Sequence, residues 1–171
     1  RMEVLKEEEG KRTVSMTLYN ASDASLAGKG RQVKLAFYTD NVLTEKANVT
    51  STTAGIATEG NTLTISSEAD LKRIDAGSFT LEVTYDVGSY VKGQGLDEIP
   101  DSGVYLYADA WTEGAIGTQD GTKRLPEYHS SDNQAAVLLT GAYARTGEKA
   151  TLDVTMDNTG STTTATVTLK N

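Results

Sequence analysis

Apolar and polar residues alternate with a period of two along most of the chain, the pattern of strands that bury one face. Over Lys11–Asn20, Val14, Met16 and Leu18 point one way while Thr13, Ser15, Thr17 and Tyr19 point the other. Over Arg31–Thr39 the shared face is Val33, Leu35 and Phe37, and over Asn61–Ser67 it is Leu63 and Ile65. The longest run is Ser78–Val87, where Phe79, Leu81, Val83, Tyr85 and Val87 oppose Thr80, Glu82, Thr84 and Asp86. Val104, Leu106 and Ala108 then alternate with Tyr105, Tyr107 and Asp109, and Ala135, Val137 and Leu139 close the series. Turn-forming clusters separate the runs: Gly28-Lys29-Gly30, Glu59-Gly60-Asn61, Asp75-Ala76-Gly77 and Asp101-Ser102-Gly103. Only Ser67–Ile74 reads as a helical turn, capped by Ser67 and turning Leu71 and Ile74 to the core. Short strands at regular spacing predict an all-β chain, an antiparallel β-sandwich with two wet outer faces. A functional site then belongs on an outer face or in the end loops, because side chains fill the interior.

The end of the chain repeats its beginning. Val14-Ser15-Met16-Thr17-Leu18-Tyr19-Asn20 aligns with Leu152-Asp153-Val154-Thr155-Met156-Asp157-Asn158, and each is followed by a small polar turn and a second alternating strand. These second strands are Gln32–Phe37 and Ala165–Lys170. Repeats of this kind mark tandem modules. The expected division is a complete module over residues 1–140 and the first strands of a second, truncated one over 141–171. Thr151–Asn158 and Thr162–Lys170 are expected to pair antiparallel, with Leu152, Val154 and Met156 on the same side as Ala165, Val167 and Leu169.

Three stretches carry a resemblance to a known family. They are the strand Val14–Ala21 ending in Asn and a small residue, the strand Val33–Asp40, and Ile74-Asp75-Ala76-Gly77-Ser78-Phe79-Thr80-Leu81 leading into the central strand. Together with the acidic and amide-rich Glu127–Gln134, they resemble CARDB, the cell adhesion related domain found in bacteria. The resemblance implies an immunoglobulin-like sandwich of about seven strands, often in tandem, in an extracellular, secreted or cell-surface setting, and without catalysis. Only Asn133 stands where that family has two adjacent Asn.

Composition narrows the chemistry. A chain of 171 residues buries roughly 70% of its unfolded surface without staples. The formal charge of −8 argues against a nucleic-acid partner. The absence of cysteine removes disulfides and thiolate chemistry, and one histidine excludes a multi-histidine metal site. No apolar run reaches the roughly 20 residues of a membrane span. The chain starts at Arg1 without a signal-like segment and is expected to be a piece of something longer.

Candidate sites are few. His129 stands near Glu127 and Asp132, but no Gly-x-Ser-x-Gly nucleophile elbow accompanies it, and no enzyme activity is expected. Carboxylates concentrate in Leu96–Asp101, so Asp97, Glu98 and Asp101 are candidate calcium ligands; calcium is the only cofactor suggested. Tyr105, Tyr107, Asp109 and Trp111 fall in phase on one strand face, an aromatic row suited to stacking on sugar rings or filling a protein interface, with Tyr128 as a further aromatic. Two functions follow. The first is a spacer or adhesion module whose partners are neighbouring modules and a host or cell-wall glycan or protein. The alternative is a carbohydrate-binding module of a secreted glycan-degrading enzyme.

Overall fold

The computed structural model describes residues 1–8, 10–115, 123–126 and 133–139, and the backbone of 151–159 and 162–170. Two antiparallel sheets pack face to face as a sandwich. One has the order β1 (Met2–Glu8), β2 (Lys11–Leu18), β7 (Phe79–Asp86), β4 (Val49–Ser51). The other runs β10 (Gln134–Leu139), β8 (Val104–Gly114), β3 (Gln32–Tyr38), β6 (Thr62–Ile65), β5 (Ala57–Glu59), with β9 (Lys123–Arg124) on the far end of β8. The all-β sandwich expected from the alternation is therefore the observed architecture. Strands β1, β4, β5 and β9 come in addition to those the alternation marks, and the last three span only two or three residues.

The alternating positions form the core. Val14, Met16, Phe79, Leu81 and Val83 from the first sheet meet Val33, Leu35, Phe37, Leu63, Ile65, Leu106 and Leu139 from the second. A helix closes each end. Helix α1 (Glu68–Asp75) is capped by Ser67, whose side chain accepts from the Asp70 N–H, and it buries Leu71 and Ile74 as its sequence predicts. At this pole Asn20 N donates to Ile74 O at 3.0 Å, just after β2, and Gly28 N donates to Glu68 Oε2 at 2.8 Å, just before β3.

Helix α2 (Val87–Gly93) departs from the alternation over Ser78–Val87, which runs the strand one residue further. The Asp86 carboxylate accepts from Ser89 N at 2.9 Å and Ser89 Oγ at 2.8 Å, turning the chain into a helix one residue early. Helix α2 lies at the opposite pole, where Gly88 N donates to Gly10 O at 3.0 Å beside the β1–β2 turn.

The register fixes where the chain enters and leaves. Met2 pairs with Met16 and Thr17 N donates to Arg1 O, so β1 starts at the α1 pole. Leu139 pairs with Val104, the first residue of β8, so β10 ends at the α2 pole. Between them the core is continuous.

The C-terminal segment forms a two-stranded sheet of its own, β11 (Thr151–Thr159) with β12 (Thr162–Lys170). Leu152, Val154 and Met156 pair with Leu169, Val167 and Ala165, the expected register. The likeness to the first repeat ends there. Strand β2 pairs with β1 and β7, and β3 lies in the other sheet, so those two strands never pair with each other. Thirteen residues, 19–31, link β2 to β3 and let the chain cross between sheets, whereas Gly160 and Ser161 alone separate β11 from β12.

Candidate functional site

The outer face of the six-stranded sheet carries the aromatic residues. On β8 the odd positions face outward, and cross-strand pairing adds their neighbours. Tyr107 faces Tyr38 on β3 and Ala136 on β10; Trp111 faces Lys34; Glu113 faces Gln32. Tyr105 is exposed, Tyr107 is half-buried, and their ring centroids are 5.7 Å apart at an interplanar angle of 31°. Tyr38, which sequence reasoning did not mark as a site residue, extends the pair across the sheet.

Trp111 shares the face but is engaged by polar neighbours. The Arg124 guanidinium lies 5.3 Å from the centroid of its ring, and its Nε1 donates to Glu113 Oε1 at 2.9 Å. Glu113 also accepts from Gln32 Nε2 at 2.8 Å, and Arg124 reaches the buried Asp109 at 3.6 Å. A cation–π contact, an ion pair and two hydrogen bonds therefore hold one indole face and its polar edge. The four-residue row divides into an open tyrosine end and a closed Trp111 end. Lys34 Nζ donates to Thr64 Oγ1 at 2.7 Å and completes this closed polar half.

Beside the tyrosines lies an open depression of about 310 Å³. Tyr107, Gln134 and Ala136 line it from the sheet with the paired Ala108 and Ala135, and Asn41 and Leu43 line it from the turn after β3. That turn is built around Asp40. Its Oδ1 accepts from Thr44 N at 2.9 Å and Glu45 N at 2.7 Å, and its Oδ2 accepts from Thr44 Oγ1 at 2.6 Å. Burial pushes the Asp40 carboxyl upward, but these donors outweigh it and hold it below the usual aspartate value. Within the turn Leu43 adopts φ 59°, the only non-glycine residue with positive φ among those described. A branched side chain there is strained by about 1 kcal/mol or more, and the Asp40 hydrogen bonds enforce it.

The remaining candidates do not gather. Asp97, Glu98 and Asp101 are exposed in the segment after α2. Among the described residues no three His, Cys, Asp or Glu side chains come together as a metal-holding group. Tyr128, His129, Glu127 and Asp132 lie outside the described residues. No helix among the described residues is long and apolar enough to cross a membrane. Sequence reasoning missed Asn41, Leu43 and Gln134; the Asp40-x-x-x-Thr44 spacing was the one local signal for the turn that positions two of them. Comparison with protein-family models, curated proteins and solved structures finds no match to this chain.

Proposed function

We propose that this chain is a non-catalytic, immunoglobulin-like module of a bacterial secreted or cell-surface protein, acting as a spacer or adhesion unit in a tandem array. The observation that carries the proposal is the placement of the ends: the chain enters the sandwich at the α1 pole and leaves it at the α2 pole. Units connected in this way stack end to end. At about 3.3 Å per residue, the 11-residue β8 gives each unit a length of roughly 36 Å. The immunoglobulin-like type is supported by strand order. The sheet β1-β2-β7-β4 packed on β10-β8-β3 follows the connectivity of the seven-stranded constant-type fold, with the β5–β6 hairpin added at the free edge of β3. The resemblance of Val14–Ala21, Val33–Asp40 and Ile74–Leu81 to CARDB points the same way.

Small-angle scattering on one, two and three units joined in tandem tests the spacer role. The maximum dimension should grow by roughly 40 Å per added unit. A compact arrangement whose dimension does not grow with unit number would refute it.

A further inference from the structure

We propose that the depression beside Tyr107 binds one ring of a neutral, hydroxyl-rich glycan. The proposal rests on the adhesion half of the function above and names its ligand class. None of the residues lining the depression is charged, in a chain with 24 acidic and 16 basic residues. What they offer instead is the half-buried ring of Tyr107, the apolar side chains of Leu43 and Ala136, and the carboxamides of Asn41 and Gln134. Each carboxamide is both donor and acceptor, the pairing that sugar hydroxyls require. Aromatic and apolar surface suits the C–H faces of the same ring. A volume of about 310 Å³ lies at the small end of ligand sites, which fits a single ring.

One structural fact separates this ligand from a charged polymer. The nearby acid and base, Asp109 and Arg124, are paired to each other under Trp111. The wall is also preformed. Asp40 holds its turn with three hydrogen bonds, and Leu43 remains in a backbone conformation that costs energy, a feature that concentrates where ligands are clamped.

The test is titration of the full chain, followed by amide NMR, with neutral gluco-, manno- and galacto-oligosaccharides and with uronic-acid oligosaccharides. A neutral oligosaccharide should produce saturable shifts at Asn41, Leu43, Tyr107, Gln134 and Ala136, and uronic-acid chains should bind about tenfold more weakly or not at all. The double substitution N41A/Q134A removes two exposed side chains, so it should melt like the parent yet bind about tenfold more weakly. The absence of saturable shifts with every neutral oligosaccharide at millimolar concentration would overturn the proposal. So would shifts confined to Tyr105 and Trp111, or undiminished binding by the double variant. Scattering on tandem units is independent of all these outcomes, so a failed glycan site and a failed spacer role are told apart.

Discussion

Two of the connections that carry the chain between the sheets are each tied by a single aspartate. The β2–β3 crossover is tied from outside by Asp75, at the end of α1. Asp75 accepts from Ser25 Oγ at 2.6 Å, Asn20 Nδ2 at 2.9 Å, Leu26 N at 3.0 Å and Ala27 N at 3.1 Å. The β3–β4 crossover is tied from within by Asp40, which reaches only Thr44 and Glu45. The hydrogen bonds look alike, but their consequences differ. The Asp75 tie joins segments some fifty residues apart, so breaking it frees a long loop and loosens α1 from the sandwich. The Asp40 tie shapes one turn and, through Leu43, one wall of a depression. The first stabilises the module and the second shapes a site.

That contrast is sharpest in substitutions. Asp75→Ala removes an acceptor shared by four donors, of which Asn20 Nδ2 and Ser25 Oγ keep the carbonyls of Ala24 and Ala27. At about 1 kcal/mol per net hydrogen bond, lowered for partial exposure, the expected loss is roughly 2–3 kcal/mol in denaturant unfolding. A loss no greater than that of an ordinary surface substitution would show that the tie is not structural.

The same group sets an acid limit. Burial raises the Asp75 carboxyl, but Ser25, Leu26, Asn20 and Ala27 outweigh it and hold it well below its ordinary value of 3.8. Below that value the unfolded chain takes up the proton first, so stability falls as the pH drops. The contribution of Asp75 is full above about pH 5 and is lost progressively as the pH falls through 3.8 toward the lowered value. Asp75→Asn should flatten the melting profile over that range. An identical acid profile in the variant would assign the loss to other carboxylates.

Asp40→Ala should act locally. The expected result is faster amide exchange at Thr44 and Glu45 and a melting temperature within a few degrees of the parent. A drop as large as that of Asp75→Ala would erase the distinction between the two ties. Smallest of all is Leu43→Gly. Relief of the positive φ offsets the added freedom of the unfolded chain and the lost contact, so stability should stay within about 0.5 kcal/mol of the parent. A loss above about 1.5 kcal/mol would mean that the contacts of Leu43, not its backbone, dominate the position.

The same division governs what could be read from the sequence. Alternation is local, so it marked β2, β3, β6, β7, β8 and β10 and the inward positions of the core; the capped turn at Ser67 was equally local. Strand partners and ties across the fold carry no local mark. Nothing near Asp75 announces Ser25 or Leu26, and nothing near Trp111 announces Arg124. Arg12 is the sharpest example: a charged residue beside a turn reads as solvated, yet it is 2% exposed on the inward side of β2, opposite Tyr85. Its Nη1 donates to the carbonyls of Glu8 and Lys11, while its Nε, 3.9 Å from Glu7, has no hydrogen-bond partner. The aromatic row was legible as a row because period two fixes a face. Its division into an open Tyr105–Tyr107 end and a closed Trp111 end was not, because β9 and the Asp40 turn bring their side chains from elsewhere in the chain.

We propose that residues 1–140 form a complete module and that the β11–β12 pair belongs to a separate unit. Both sheets and both closing helices lie within the first 139 residues, whereas a two-stranded sheet alone is marginal in water. The most direct measurement is a pair of thermal melts, of residues 1–140 and of the full chain, followed by near-UV circular dichroism. Residues 1–140 should melt in one cooperative transition within a few degrees of the full chain. Failure of residues 1–140 to fold would contradict it and make the terminal strands part of one larger sandwich.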